Sequence, residues 1–332
     1  MHIIQKPCLS LAALTLLGLG ALPAHAKPPV VVADIPIVGA MIGQVMGDLG
    51  APVVLMEAGG DPHDYQMRPS QARALNGADM LVWVGPALSP WLSHAAQGLK
   101  PQDSLALLAL PGTHTRDFGA ADGDHDHDHD HDHDHDHDHD HDHDHDHQGG
   151  DSGHDGHDHS GKDPHAWLDP ANGAAWLDAI ADALAERDPD NAATYRDNAA
   201  KGVAEIKAAD ADNMARLAPF KDSRFVVFHD AYGYFTEHYG LQPAIAVSLG
   251  DASAPSAARL KQIRDEIAGQ NAACAFPEAN HDARLLAAAT EGTDIRQGAA
   301  LAPEGKPSEG PLSYPQFLRD MGGAIADCLG QK

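Results

Sequence analysis

The sequence predicts an α/β protein built as two α/β lobes with mainly parallel sheets, joined by a long rigid helix. Three observations carry that expectation. Short apolar, β-branched runs alternate with helical stretches over 30–110, a rhythm that favours parallel strands covered by helices. The same rhythm returns over 225–329. Between them, about 190–217 reads as one helix whose stripe of Tyr195, Ala199, Val203, Ile206 and Met214 is interrupted by charges, as suits a rod linking two lobes. A chain of 332 residues is long enough for two domains with real cores.

The elements follow in order. Lys6, the apolar run 9–22 and Ala24-His25-Ala26 form a secretory signal cut after Ala26, which directs the chain to the periplasm. The run is too short for a membrane anchor, and Cys8 leaves with it. Residues 30–37 read as a buried strand and 38–49 as a helix ended by Gly50. A strand at 53–57 enters the turn-rich segment before His63, and Ser70 reads as the N-cap of a helix reaching Asn76. Strand 80–84, helix 90–99 and strand 105–110 complete the first series. After a break at 111–163, helices follow at 171–186 and about 190–217. The second series is strand 225–228, helix 232–239, strand 244–249, helix 255–268, a strand holding Cys274 and Phe276, helix 281–290 and a last helix at about 314–329. The expected divisions are a signal peptide at 1–26, an N-terminal lobe at 27–170, helices at 171–217 and a C-terminal lobe at 218–332. A disordered His/Asp-rich loop is placed at about 112–162.

That loop alternates aspartate and histidine over 124–147, with imidazoles at His125, His127, His129, His131, His133, His135, His137, His139, His141, His143, His145 and His147. His154, His157 and His159 continue the series. High charge without hydrophobic residues cannot offset the entropy of ordering, so the run is expected as a solvated linker. Disorder does not remove its ligands, and neutral imidazole suits zinc, copper and nickel. The formal charge of -27 includes fifteen aspartates in 124–159, a segment with no Lys, Arg or Glu, so the remainder carries -12. An acidic remainder argues against nucleic acid as a partner.

Cys274 and Cys328 are left as an even pair in an exported chain, for which a disulfide is the expectation and two buried free thiols the alternative. Three histidines outside the run share a setting. His63 follows a strand and a Gly-Gly turn, His165 precedes a helix and His229 ends a strand, and α/β sheets gather ligands at the carboxyl ends of their strands. Taken singly, each also fits a surface or hydrogen-bonded histidine. Three neutral imidazoles supply three corners of a zinc tetrahedron, whereas manganese favours oxygen. Asp64, Asp169 and Asp230 are candidate acceptors for imidazole N–H groups, or caps of turns and helices. Glu278 and His281 follow a strand that borders the same region. His94, His114 and His238 read as surface or packing residues, and Trp83, Trp91, Trp167 and Trp176 as packing groups.

The segments His63-Asp64-Tyr65 with Arg68-Pro69-Ser70, Val82-Trp83-Val84-Gly85-Pro86 and Asp163-Pro164-His165-Ala166-Trp167-Leu168, with Phe228-His229-Asp230-Ala231-Tyr232-Gly233-Tyr234-Phe235 and residues 314–328, resemble the periplasmic zinc-binding proteins of ABC-type zinc importers, the ZnuA type. The resemblance spans nearly the whole mature chain. It implies a metal-type periplasmic solute-binding fold, a zinc site on His63, His165 and His229, a disulfide between Cys274 and Cys328, and Zn2+ as the transported ligand rather than a cofactor of catalysis. The partners it implies are the membrane permease of an ABC importer and a periplasmic zinc chaperone, for a chain acting as a monomer. Related manganese binders add a carboxylate from an LDPLG-like segment. Here that stretch reads Gly298-Ala299-Ala300-Leu301-Ala302-Pro303-Glu304, with no aspartate, leaving water, a nearby carboxylate or a loop histidine as the fourth ligand. Two other functional classes compete: a metal buffer or adhesin that binds through the run, and a zinc hydrolase, against which stands the lack of an HExxH motif.

Overall fold

The computed structural model describes residues 27–57, 59–118, 161–248, 255–305 and 312–331. The expected signal peptide, 1–26, and the His/Asp run lie outside them. The first lobe contains β1 (Val31–Ala33), α1 (Pro36–Met46), β2 (Val53–Val54), α2 (Pro69–Asn76), β3 (Met80–Trp83), α3 (Pro90–Gln97) and β4 (Ser104–Ala106). Two helices follow, α4 (Pro170–Arg187) and the 26-residue α5 (Ala192–Leu217). The second lobe contains β5 (Phe225–His229), α6 (Gly233–Tyr239), β6 (Ile245–Ser248), α7 (Ala257–Gln270), β7 (Cys274–Phe276), α8 (Ala283–Ala289), β8 (Arg296–Gln297) and α9 (Tyr314–Leu329).

Both sheets are parallel and share one topology, β2-β1-β3-β4 and β6-β5-β7-β8. In each, the chain leaves its first strand to one side and returns to the other. This creates a switch point, where the carboxyl ends of two central strands open a crevice.

Strand residues alternate between faces. Val31, Ala33, Met80 and Val82 of the first sheet and Phe225, Val227 and Phe276 of the second join one continuous core with α1, α4, α5 and α9. The opposite faces pack separately, Val32, Leu81 and Trp83 against Leu75 and Leu92, and Val226, Val247 and Ala275 against Ile263 and Ile267. The two lobes are therefore one packed body across their inner faces. The long helix ties both: Asn198 Nδ2 donates to Val45 O of α1 at 3.1 Å, and Asn213 Nδ2 donates to Leu318 O of α9 at 2.7 Å. Its buried stripe is Tyr195, Ala199, Gly202, Ile206, Ala209, Asn213 and Leu217, so small and polar residues at the crossings carry what an apolar pattern alone misses. Met214, expected on that stripe, turns outward with 41% exposure.

Other boundaries shift for local reasons. Pro36 takes the first helical position, where a missing N–H is harmless, and cuts the first strand short. Arg68 rather than Ser70 is the N-cap of α2, because Pro69 occupies N1. After β4 the chain turns into a 3-10 helix at Leu107–Ala109. The two-residue strand β8 is too short to leave a pattern. Residues 113–118 and 161–162, placed in the loop, are instead pinned by Thr113 Oγ1 on Leu107 O, by Phe118 N on Gly161 O and by the Asp117–Lys162 bridge. The disulfide Cys274–Cys328 joins β7 to α9. Closing 54 residues of chain contributes about 4 kcal/mol on chain-entropy grounds.

Asp34, fully buried at the end of β1, straps the first lobe together. Its carboxylate accepts from Ile35 N at 2.8 Å, Val84 N at 3.0 Å and Ser89 Oγ at 3.0 Å. Asp34→Ala leaves the Val84 and Ser89 donors buried without an acceptor, a cost of about 2–4 kcal/mol. Thermal unfolding should show a Tm lower by at least about 5 °C. An unchanged Tm would show that the strap carries no stability.

Candidate metal centre

His229, His165 and His63 reach one point from three directions. His229 is the last residue of β5, at the switch point of the second sheet. His165 lies just before the 3-10 turn Ala166–Leu168 that leads into α4. His63 follows a turn in which its backbone N–H donates to Asp61 Oδ1 at 2.9 Å. That turn rests on Trp91, whose Nε1 donates to Pro62 O at 3.0 Å while Tyr65 packs on its ring.

The ring centroids of His165 and His229 are 5.2 Å apart, those of His63 and His165 5.3 Å, and those of His63 and His229 5.9 Å. One ligand atom from each lies within 4.8 Å of the others. The Nε2 atoms of His63 and His165 are 3.3 Å apart, close to the edge of about 3.3–3.4 Å that a tetrahedron with metal–nitrogen bonds near 2.0–2.1 Å requires.

Two of the rings are oriented by buried carboxylates. His229 Nδ1 meets Glu278 Oε2 at 2.6 Å, and Glu278 Oε1 accepts from Tyr232 Oη at 3.1 Å. His165 Nδ1 meets Asp163 Oδ1 at 2.8 Å, and Asp163 Oδ2 accepts from Arg116 Nη1 at 2.9 Å. A proton held on Nδ1 leaves Nε2 as the lone-pair donor toward the centre. Arg116 reaches Asp163 only because position 233 is glycine: a Cβ there would meet Arg116 Nη1 at 1.3 Å.

Burial and partners set the charges. Burial opposes a charge on His229, but Glu278, then Glu304 and Asp61, outweigh it and push the imidazole up to about 9. Glu278 is correspondingly held below the usual carboxylate range: burial would raise it, and the His229 charge and hydrogen bond overcome that. His165 lies well below its ordinary value through burial and the charge of His229. Burial raises Asp163 to about 6, against the His165 amide and Arg116, and raises Glu304 to about 7.

The sequence candidates fall into different places. Glu278 stands on His229. Asp64 is exposed, and Asp61 takes the His63 amide instead. Asp169 caps α4 through Ala171 N at 2.8 Å and pairs with His114 Nδ1 at 2.9 Å and His238 Nδ1 at 3.3 Å, outside the trio. Asp230 is half-buried beside His229, whose Nδ1 turns to Glu278. His281 stacks on Phe228 at 4.2 Å and forms a second group with Glu278 and His229. The fifteen histidines of the run lie outside the described residues. Sequence reasoning passed over Asp163, although a carboxylate two residues before a candidate ligand histidine was a usable signal. It also passed over Glu304, which sits two positions beyond the expected aspartate.

The family model for the periplasmic component A of zinc-uptake complexes matches residues 31–328. The chain belongs to this family. Among zinc-uptake components of this type, the high-affinity zinc uptake system protein ZnuA of Paracoccus denitrificans is 63% identical over 323 residues, covering 97% of this chain and 98% of its own. That of Brucella suis is 35% identical over 306 residues, 91% of this chain and 92% of its own. The periplasmic zinc binding protein TroA of Treponema pallidum has the same fold, with a TM-score of 0.73 at 18% identity over 91% of this chain and 99% of that one.

The charge on His229 has a consequence for stability. A folded-state value near 9, above the ordinary 6.5, gives a contribution that is complete below about pH 6.5 and is lost as pH rises through 9. The Tm of chelator-treated protein should therefore fall between pH 6.5 and 9, and Glu278→Gln should flatten that slope. An equal slope in the variant would show that Glu278 does not hold the charge.

Proposed function

We propose that this chain captures Zn2+ on His63, His165 and His229 in the cleft between its lobes and delivers it to the membrane permease of an ABC importer. The observation that carries this reading is the convergence of three imidazoles, two with Nδ1 held by buried carboxylates and all within ligand distance of one another. Membership of a zinc-uptake family and the zinc-uptake names of the relatives support it. Nitrogen-only imidazole donors favour zinc over manganese, which takes more oxygen, and the acidic surroundings suit a dication. The remaining parts of the reading are a monomeric chain, a periplasmic zinc chaperone as a further partner and the His/Asp run as an antenna or reservoir. A ligand-rich flexible segment loses ordering entropy on binding, so its sites are weaker than a preformed one, while tethering keeps its ligands at high local concentration.

A competition titration with Zn2+, Mn2+, Cu2+ and Ni2+ tests the cleft. His229→Ala should weaken zinc binding by more than about 100-fold, beyond the loss expected when only an outer hydrogen-bond partner is removed. Unchanged affinity would overturn the assignment of the trio.

Deleting residues 124–159 separates the run from the cleft. The truncated chain should keep one tight zinc equivalent and lose the weaker ones. Loss of the tight equivalent would favour a buffer that binds through the run. Equal capture rate and equal zinc-limited growth with and without the segment would exclude an antenna.

A further inference from the structure

Metal-ligating groups do not end with the trio. His229, Glu278 and His281 form a second set, in which one ligand atom from each lies within 4.8 Å of the others. His281 Nε2 stands 3.6 Å from Glu278 Oε2, too far for a hydrogen bond. That distance is close to the separation of about 3.3–3.4 Å between two ligands of one tetrahedral zinc. His229 belongs to both sets, and its ring centroid lies 5.6 Å from that of His281.

The turn that carries the second set follows β7, the strand beside β5, and β5 ends in His229. Ala279 N donates to Leu301 O at 2.8 Å, and His281 N donates to Glu278 O at 3.3 Å, which brings two side chains three positions apart together. Phe228 stacks on the His281 ring at 4.2 Å with the planes 21° apart. A ring covered on its face keeps its in-plane nitrogens available, and packing alone asks for no nitrogen there. A cavity of about 240 Å3 lies against the same turn, lined by Met56, Gly59, Gly60, Ala279 and Asn280 among others. Asp61 and His281 each directly follow a lining residue, and the Asp61 charge acts on both His281 and His229.

Resting on the reading of His63, His165 and His229 as the zinc site, we infer that His229, Glu278 and His281 hold the ion at a second position on its way between this cavity and the trio. His229 is the pivot. Bonds to Glu278 and His281 break as bonds to His63 and His165 form, so the ion stays on one protein ligand throughout. An ion inside the protein without ligands meets a large desolvation cost, and a shared ligand lowers that barrier. Because the barrier falls in both directions, capture and release speed up together and affinity stays the same.

The test uses the full chain, in which the His/Asp run is common to all variants. His281→Phe keeps a ring on Phe228 and removes both nitrogens. Stopped-flow capture of Zn2+ and its release from the tight site to a chelator should each slow about 10-fold, as loss of one barrier-lowering contact would cause. Affinity and the far-UV circular dichroism of metal-free protein should not change. In crystals of the His63→Ala, His165→Ala double variant soaked in Zn2+, an anomalous difference map should place an ion between Glu278 and His281. A map without that ion, or rates equal to those of the unsubstituted chain, overturns the inference. So does a loss of affinity through faster release, since His281 would then belong to the resting site. If His229→Ala binds zinc normally, the failure lies in the reading of the trio itself.

Discussion

The centre depends on the burial of two imidazoles whose outer nitrogens are held by carboxylates. An imidazole free to rotate presents either nitrogen to a cation and loses rotamer entropy when it binds. His165 and His229 have spent that freedom on folding, through Asp163 and Glu278. Asp163 is itself held by Arg116, whose route depends on Gly233, and by its backbone carbonyl, which accepts from Tyr234 Oη at 2.8 Å. Glu278 is held by Tyr232. Both tyrosines belong to the segment that starts α6, directly after His229. One short stretch thus supplies a candidate ligand, the support for that imidazole's carboxylate and the support for its neighbour's.

This arrangement has meaning only if the two lobes stay in register, and the packing provides for that. A core shared across the inner faces of both sheets, with α5 bonded to α1 and to α9, resists the wide opening available to lobes joined by loops alone. Movement is then expected where the packing is lighter, in the turn before His63. Preformed geometry and small local motions suit capture of an ion, which has no shape for two lobes to close around and is recognised by donor type and distance.

The sequence made the architecture legible because its signals were local and repeated. Runs such as 80–84 and 225–228 announced strands, and α4 and α5 were found to within a few residues. The lapses share one physical cause, which is that contacts set by tertiary packing leave no periodic trace. Met214 was assigned to a face by spacing, while Gly202 and Asn213, which make the crossings, have neither bulk nor hydrophobicity to reveal them. His165 and His229 were legible because each sits beside a helix or strand end, and His63 because it follows a Gly-Gly turn. Their supports were less so: Asp64, Asp169 and Asp230 were plausible by proximity in sequence, whereas Glu278 and Glu304 reach His229 from 49 and 75 positions away. Only Asp163 was both close in sequence and overlooked.

The charges of the metal-free centre suggest how a dication enters a buried site without the full penalty of burying charge. An isolated ion taken from water into a protein interior meets a large desolvation cost. Here His229, raised to about 9 against its burial chiefly by Glu278, holds a proton at neutral pH. On the proposed three-histidine site, Zn2+ displaces this proton, so one positive charge leaves as two arrive and the buried charge rises by less than that of a bare dication. Glu278, held below the usual carboxylate range, keeps its charge through the exchange. The same exchange run backwards makes release a matter of returning protons, which a site built from permanently charged groups would not permit.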